Sequence, residues 1–396
     1  MQLTNRQLFR QNLAVPADIP EAIEIESAEG IFLTSVDGQK YIDLVSGVSV
    51  SNVGHRHPAV VKAIKEQLDK YMHLMVYGKY IQSPQVRLAG LLSSVLPEKL
   101  DSVFLVNSGS EAIEGALKLA KRISGRSEIM AFKKSYHGST HGALSILGDE
   151  RMKSAYRPLL PNVKLLEYNN LDDLDKINAD TASVVVEAIQ AEAGIIIPSQ
   201  DFMHKLNVKC HENKCLLIVD EVQMGFGRTG KMFGFEHFDI EPDIVCFAKG
   251  LGGGMPIGAF VSSKENMNLL TFNPALGHIT TFGGHPVSSA SALASLKLIL
   301  DEGLHKKSND KGLLIASGLE KHPKIKTIRR IGLMLGVELK SDFSAARMVK
   351  ILQGHHLIVD QFLFNESSFR IAPPLTITED EIRVVIEMLN ACLDDL

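Results

Sequence analysis

Seven short apolar runs alternate with helical patterns between about residues 100 and 265, and this alternation constrains the fold more than any other feature. Several of these runs are continuously apolar, which is typical of strands that are covered on both faces. Strands that are joined through helices form a mostly parallel sheet of the α/β class. The predicted strands are Ser102–Val106, Glu128–Phe132, Val163–Tyr168, Ser183–Ile189, Leu216–Asp220, Asp243–Phe247 and Gly258–Val261.

The two ends of the chain follow a different pattern. Short strands precede residue 50, a helix is predicted from Pro58 to about Tyr71, and a helix pair is predicted over residues 287–320. Beyond Ile325, predicted strands and helices alternate as Ile331–Leu339, Ala345–Gly354, Arg370–Ala372 and Glu379–Leu393. We therefore expect a large domain over residues 51–295 and a smaller α+β domain built from residues 1–50 and 296–396.

Composition and charge argue against several classes of function. The chain has 42 basic and 46 acidic residues, a net charge of -4, so no basic surface for nucleic acid or membranes is indicated. No stretch approaches the roughly 18 apolar residues of a membrane span, and the polar N-terminus has no signal-like apolar segment. Four cysteines without a CxxC pair indicate free thiols. We expect a cytoplasmic protein with no nucleic-acid or membrane partner.

The first strand of this region leads directly into a candidate anion site. Ser102–Val106 is followed by the sequence Asn-Ser-Gly-Ser-Glu over residues 107–111 and then by a helix. Small residues at a helix N-terminus bind anions because free N–H groups and the helix dipole point the same way. Ser108 and Glu111 also have capping-box spacing. On this motif alone, a plain helix cap is an equally good interpretation.

Two further strands end in residues that carry chemistry. Leu216–Asp220 ends in Asp220 and Glu221, and a buried carboxylate at such a position needs a cation. Asp243–Phe247 leads into Lys249 and a run of glycines, which suits an amine that attacks a carbonyl, although a surface lysine beside a flexible loop is the commoner case. No Walker loop is present, and no GxGxxG follows the first strand, which disfavours dinucleotide binding.

An anion site, an acid and a lysine after three strands of one sheet match the needs of pyridoxal phosphate (PLP). Ligands of such sheets bind at the carboxyl ends of the strands, where these residues meet. The cofactor needs an anchor for its phosphate, a carboxylate for its ring nitrogen and a lysine for a Schiff base. The three predicted features together therefore favour this cofactor, with Lys249 also able to act as a base.

The chain resembles the class III PLP-dependent aminotransferases of fold type I, and within them the acetylornithine, ornithine and 4-aminobutyrate group. The family's motifs occur in order and at the family's spacing over most of the chain. The matching stretches are NSGSEAIEGALKLAKR (107–122), SYHGST (135–140), EAIQAEAG (187–194), LLIVDEVQMGFGRTGKMFGFEHFDIEPDIVCFAKGLGGGMPIGAF (216–260), ITTFGGHP (279–286) and FRIAPPLTI (369–377).

This resemblance implies a role for each residue that matches a motif. The fold would be a large domain with a mostly parallel seven-stranded sheet plus a smaller α+β domain. The cofactor-binding residues would be Gly109 and Ser110 at the phosphate, Tyr136 and Val222 on the two ring faces, Asp220 at the ring nitrogen, Gln223 near the ring hydroxyl, and Lys249 as the Schiff-base lysine.

The resemblance also implies how substrates and a second subunit take part. Arg370 would bind the α-carboxylate of a substrate, and Glu192 would pair with Arg370 as a gate that opens when such a carboxylate arrives. Thr281 would reach the phosphate bound by a neighbouring subunit. We therefore expect a homodimer with shared active sites, which could pair further into a tetramer.

The chain departs from the family pattern at the acceptor site. Relatives that use 2-oxoglutarate often carry HGRT, whose arginine binds the distal carboxylate, whereas this chain has Ser139 in that place. Either another cation among Arg56, Lys79 and Arg151 substitutes, or the acceptor is smaller, such as pyruvate. The alanines of EAIQAEAG replace a proline and two glycines of the commoner EPIQGEGG. Tyr77 and Tyr80 could line the donor pocket, although an interface is favoured.

We expect transamination from an ω-amino compound to a 2-oxo acid, with 2-oxoglutarate as the expected acceptor and pyruvate as the alternative. The exchange would be ping-pong and would pass through Lys249. An aminomutase or decarboxylase of the same family, and a cofactor-binding regulator without activity, are weaker alternatives. No metal is expected, since His55, His57 and His137 lack the spacing of metal ligands.

Overall fold

The computed structural model describes residues 3–17 and 22–396 of the chain. Of the predicted N-terminal segment 1–50, residues 1–2 and 18–21 lie outside the described residues. The strands are β1 (Ile25–Glu29), β2 (Phe32–Ser35), β3 (Lys40–Asp43), β4 (Ser102–Val106), β5 (Glu128–Phe132), β6 (Val163–Leu166), β7 (Thr181–Glu187), β8 (Leu216–Asp220), β9 (Ile244–Phe247), β10 (Gly258–Ser262), β11 (Ile325–Ile331), β12 (Met334–Leu339), β13 (Leu357–Ile358), β14 (Asp360–Phe362) and β15 (Asn365–Ile371).

Helices separate these strands along most of the chain. The right-handed α-helices are α1 (Asn5–Asn12), α2 (Pro58–Leu68), α3 (Ser83–Ser94), α4 (Gly109–Ser124), α5 (His141–Ser145), α6 (Gln200–Glu212), α7 (Lys264–Asn268), α8 (Pro286–Asp301), α9 (Leu304–Leu319), α10 (Ala345–Gly354) and α11 (Glu379–Asp394). Among residues 3–17 and 22–396, no helix is both long and apolar enough to cross a membrane.

The predicted seven-stranded sheet is confirmed. Its strand order is β4-β10-β9-β8-β7-β5-β6, and every neighbouring pair is parallel except the two pairs that contain β10. All residues of β7, β9 and β10 are buried. Helices cover this sheet, which explains why the sequence shows continuous apolar runs there and not alternation.

The predicted bounds of most strands of this sheet agree with the structure to within two residues. β4, β5 and β8 have the predicted bounds, whereas β7 lies two residues earlier than predicted and β6 ends at Leu166. These small differences leave the order of strands and helices unchanged. Residues that follow β4, β5, β7, β8 and β9 therefore meet at one edge of the sheet, as expected.

The two ends of the chain share a second, smaller sheet. β1, β2 and β3 form an antiparallel ribbon, and β13 from the C-terminal part adds to it parallel to β3. A third sheet has the order β11-β12-β15-β14 and is antiparallel throughout. The domain bounds 1–50, 51–295 and 296–396 remain a prediction.

One predicted strand of the C-terminal part is wrong in extent. The sequence predicted a single strand over Ile331–Leu339, but the chain forms a hairpin of β11 and β12 with its turn at Gly332. Gly332 has a φ of 53°, a conformation that glycine adopts without a steric cost. The hairpin lies beside β15, the strand that carries Arg370.

Candidate active site

A cavity lies at the carboxyl edge of the seven-stranded sheet, where residues from five strand ends converge. Seven of the ten predicted site residues line it: Gly109, Ser110, Tyr136, Asp220, Val222, Gln223 and Lys249. The rest of the lining is formed by Ser108, His137, Gly138, Glu187 and Met224. The structure therefore brings together the residues that were singled out from the sequence as an anion site, an acid and a lysine.

The anion end of the cavity is the N-terminus of α4. Ser108 is the N-cap residue, and its Oγ accepts a hydrogen bond of 3.2 Å from the backbone N–H of Glu111. The expected capping box is only half formed, because Glu111 Oε2 instead accepts from the backbone and side-chain nitrogens of Asn107, each at 2.8 Å. The serine and glycine of the first turn remain at the cavity, with the helix dipole directed at any bound anion.

The loop after β5 closes over this helix end. The backbone N–H of Ser139 donates to Ser110 Oγ at 3.3 Å. A Cβ atom at Gly138 would lie 2.1 Å from Ser110 Oγ, so only glycine allows the loop to approach the helix this closely. Tyr136, on the same loop, places its hydroxyl oxygen 3.1 Å from Ser139 Oγ.

Two adjacent acids at the end of β8 have different surroundings. Asp220 lines the cavity, and its Oδ2 lies 2.7 Å from Nδ1 of the buried His137. Glu221 meets no cation among the described residues and accepts hydrogen bonds from the backbone N–H groups of Gly234 and Phe235 at 2.8 and 2.7 Å. Burial raises the pKa of Glu221 to about 8. The expectation of a charged partner thus fails for Glu221, whose partners are backbone dipoles.

Lys249 lines the cavity and has a left-handed backbone conformation, with a φ of 46°. Its Nζ donates to Gln223 Oε1 at 3.3 Å. Burial lowers the pKa of the Lys249 ammonium group, while the Glu192 carboxylate acts in the opposite direction. A lowered pKa favours the neutral amine, which is the form that attacks a carbonyl or accepts a proton.

Sequence reasoning missed two groups of the cavity, Glu187 and His137. Glu187 ends the buried strand β7, and its two oxygens accept from the backbone N–H groups of Tyr136 and Ala191 at 2.9 and 2.8 Å. Burial raises the pKa of Glu187 to about 7. The strand predicted from the sequence ran on to Ile189, so Glu187 did not stand at a predicted strand end as Asp220 did. His137 directly follows a predicted site residue, but no local pattern shows that it contacts Asp220.

Arg370 and Glu192 contact each other close to the cavity but are not part of its lining. Arg370 Nη2 donates to Glu192 Oε1 and Oε2 at 2.8 and 2.9 Å. Both side chains are almost fully buried, with 1% and 7% exposed. Their charges influence the pKa of Lys249 in opposite directions, so the pair and the lysine share one electrostatic environment.

Thr281 lies away from the cavity of its own chain. It is exposed, and its Oγ1 lies 3.4 Å from the Tyr77 hydroxyl.

None of the three cations considered as substitutes at the Ser139 position lines the cavity: Arg56, Lys79 and Arg151. Arg151 Nη2 instead binds Asp149 Oδ2 at 2.8 Å.

Comparison with known proteins agrees with this geometry. The family model described as Aminotransferase class-III matches residues 14–393. Acetylornithine aminotransferase of Methanopyrus kandleri is 39% identical over 93% of this chain and 94% of its own length. A [LysW]-aminoadipate semialdehyde/glutamate semialdehyde transaminase of Sulfurisphaera tokodaii is 34% identical, with 91% and 92% covered. An amine transaminase of an uncultivated Pseudomonas species, solved with PLP bound, has a TM-score of 0.89 at 26% identity, with 97% and 99% covered.

The residues of the cavity suit PLP on chemical grounds. The N-terminus of α4 offers donors to a phosphate, Asp220 offers a buried carboxylate to a ring nitrogen, and Lys249 offers an amine of lowered pKa to an aldehyde. A family model that matches residues 14–393 covers almost the whole chain, so the family does not rest on a local motif. This chain belongs to the class III aminotransferases, enzymes of fold type I that use PLP as their cofactor.

Proposed function

We propose that this aminotransferase moves an amino group from an ω-amino compound of the acetylornithine, ornithine or 4-aminobutyrate type to a 2-oxo acid. The observation that carries this proposal is the buried Arg370–Glu192 pair beside Lys249. A buried guanidinium binds a carboxylate strongly, and here the Glu192 carboxylate already occupies it. The names of the curated relatives, acetylornithine aminotransferase and [LysW]-aminoadipate semialdehyde/glutamate semialdehyde transaminase, support the donor class.

Each cavity residue would contribute by binding, orienting or moving a proton. When bound, PLP supplies a ring that accepts the electrons left when the substrate carbon loses its proton. Ser108, Gly109 and Ser110 would bind the phosphate, and Asp220, oriented by His137, would keep the ring nitrogen protonated. Tyr136 and Val222 would pack on the two ring faces and Gln223 would lie near the ring hydroxyl, as well as bonding Lys249. Lys249 would transfer the proton at the substrate carbon, because its neutral form is favoured.

The Arg370–Glu192 pair would let one site accept two unlike substrates in turn, which is the requirement of a ping-pong exchange. A donor that presents its ω-amine brings no carboxylate to Arg370, so Glu192 stays paired with it. A 2-oxo acid brings an α-carboxylate to Arg370, and Glu192 leaves. The cost of separating the buried pair is offset because one carboxylate replaces another.

For the acceptor, one observation favours pyruvate over 2-oxoglutarate. The distal carboxylate of 2-oxoglutarate needs a second cation, and Ser139 stands where relatives place an arginine. The loss of a charge-assisted hydrogen bond costs about 1.5–3 kcal/mol, which corresponds to roughly 10- to 150-fold in affinity.

We also propose that the enzyme is a homodimer. Ten large apolar side chains are exposed in two segments, 72–86 and 272–282: Met72, Leu74, Met75, Tyr80, Ile81, Val86, Phe272, Leu276, Ile279 and Phe282. The segments contact each other, since the rings of His73 and Phe282 are 4.9 Å apart. An apolar patch that combines so many side chains is typical of a subunit interface. Thr281 belongs to this patch and would reach the phosphate site of the second copy.

The acceptor is tested on the enzyme after its cofactor has been converted to the amine form with an excess of donor. Pyruvate or 2-oxoglutarate is then added separately, and the recovery of the aldehyde-form absorbance is followed. We expect recovery with pyruvate at far lower concentrations than with 2-oxoglutarate. Equal recovery with 2-oxoglutarate would contradict the pyruvate preference.

The reaction class needs a separate control. Lys249→Ala should abolish multiple turnover while keeping the fold, as measured by its melting temperature. Transamination by this variant at the rate of the wild type, or release of carbon dioxide or an isomerised amine without an acceptor, would refute the proposed function.

A further inference from the structure

Arg370 faces two carboxylates, and only one of them belongs to the expected gate. Glu192 binds Nη2 of Arg370, whereas Asp360 Oδ1 lies 3.2 Å from Arg370 Nε. This second contact is too poorly aligned to be a hydrogen bond, and both of its atoms are buried without a hydrogen-bond partner. Two unsatisfied atoms of opposite charge thus lie within bonding distance of each other. A small rotation of the guanidinium would join them.

The backbone fixes Asp360 at this position. β14 and β15 are antiparallel, and Asp360 is the direct cross-strand partner of Arg370. Side chains of directly opposed residues lie on the same face of a sheet. The Phe362 ring, also from β14, lies 4.8 Å from the Arg370 guanidinium carbon and confines it on another side. Asp360 therefore stays next to Arg370 whichever position Glu192 takes.

A buried guanidinium cannot be left without a counter-charge at low cost. Arg370 is 1% exposed, so each departure of Glu192 would remove a counter-charge from a guanidinium that water does not reach. The Asp360 carboxylate can supply this counter-charge, because its Oδ1 is buried beside Nε while about one-third of the side chain is exposed. The charged groups that face Asp360 are Arg370, Glu192, Lys249 and Asp43.

We propose that Asp360 is a positioning residue that takes over the Nε edge of Arg370 when Glu192 leaves, so that the Nη edge is presented to the carboxylate of the acceptor. This inference rests on the proposed function of Arg370 and adds a second partner to it. Asp360 does not line the cavity that holds Lys249. Its effect is therefore confined to the half-reaction in which Glu192 must leave Arg370.

The test compares Asp360→Asn, which keeps the shape and removes the charge, with Asp360→Ala, which removes both. We expect the KM for the 2-oxo acid to rise about tenfold in Asp360→Asn and further in Asp360→Ala, because a charge-assisted bond is about twice as strong as a neutral one. The rate of the donor half-reaction should stay within twofold. Glu366→Gln is the matched control. Glu366 lies on β15, the strand that carries Arg370, but 91% of its side chain is exposed and it does not contact Arg370.

A pH profile gives a readout that a merely structural role would not move. Burial raises the pKa of Asp360 to about 6, with Arg370 acting in the opposite direction. Protonation removes the charge that holds Arg370, so the KM for the acceptor should rise as the pH falls through about 6. Asp360→Asn should lack this rise, and Glu366→Gln should keep it.

Binding without turnover separates this inference from the proposed function. Pyruvate has no amino group to transfer to the resting holoenzyme, so calorimetry would measure its binding without turnover even if no donor is ever found. We expect about tenfold weaker binding to Asp360→Asn and no change for Glu366→Gln. Unchanged or tighter binding of pyruvate by Asp360→Asn would overturn the role of Asp360. An enzyme that exchanges no ω-amine with any 2-oxo acid would refute the proposed function alone.

Discussion

Replacement of Gly258 by alanine should weaken the binding of PLP, although Gly258 does not line the cavity. Gly258 begins β10 and lies opposite Val106, the last residue of β4. A Cβ atom at Gly258 would lie 2.2 Å from the carbonyl oxygen of Ser108 and 2.7 Å from its carbonyl carbon. The clash is with backbone, so a side-chain rotation cannot relieve it, and the loop that begins α4 must move.

The size of this movement sets the size of the effect. Ordinary contact begins at 3.4 Å, so the Ser108 carbonyl must retreat by about 1.2 Å, the difference between 3.4 and 2.2 Å. The same displacement lengthens hydrogen bonds from the first turn of α4 to a phosphate from about 2.9 Å to about 4 Å. Each charge-assisted bond that is lost costs about 1.5–3 kcal/mol. One lost bond therefore predicts a 10- to 150-fold higher dissociation constant for PLP.

The assay is a titration of cofactor-free protein with PLP, followed by absorbance, together with the melting temperature of each variant. Gly90→Ala is the matched control, because Gly90 lies within α3 and a Cβ atom added there would point into open space. This control should keep its affinity for PLP and gain about 0.5–1 kcal/mol of stability from the removal of a helical glycine. If Gly258→Ala binds PLP within twofold of the wild type, the geometric argument is refuted.

Two further predictions concern stability. Gly115→Ala should lower the free energy of unfolding by about 1–3 kcal/mol in urea titrations, because its Cβ would lie 2.3 Å from a ring carbon of Phe260; an unchanged midpoint would contradict this. Burial raises the pKa of Glu221 from 4.5 to about 8, so the folded protein keeps a proton that the unfolded chain releases, and stability falls as pH rises between about 5 and 8. In urea titrations at pH 5, 6.5 and 8, Glu221→Gln should make this fall in stability less steep. Part of the fall should remain in the variant, because the pKa of Glu187 is also raised by burial. An equally steep fall in the variant would show that Glu221 is ionised in the folded protein.

The seven-stranded sheet could be predicted from the sequence because strands that are buried on both faces are continuous apolar runs. β4, β5 and β8 are short apolar runs with polar or small residues at their ends, and their predicted bounds agree with the structure. The sequence pattern of the β11–β12 hairpin is less distinctive. β11 is exposed or half-buried over most of its length, so its lysine, threonine and arginines do not resemble a strand of the core.

The helix N-terminus after β4, Asp220 and Lys249 could be predicted because the fold class places strand ends at one edge, whereas Tyr136, Val222 and Gln223 were predicted only from the family's motifs. The partners of the buried acids could not be predicted from the sequence. Asp220 and Glu221 are neighbours at the end of the same strand, yet one meets His137 and the other meets two backbone N–H groups. Adjacent side chains of a strand point to opposite faces, and what lies on each face depends on chain segments far away in sequence.

The position of Asp360 shows most clearly that a local sequence motif does not reveal contacts between strands. Arg370 could be assigned from a motif of consecutive residues, whereas Asp360 matters only because the register of β14 and β15 pairs the two residues directly. That register includes an irregularity between Gln361 and Phe362, and a shift of one residue would turn the Asp360 side chain to the other face of the sheet. An aspartate ten positions before the arginine is therefore informative only after the turn between the strands is known. The second carboxylate at Arg370 is a property of the hairpin and not of the motif.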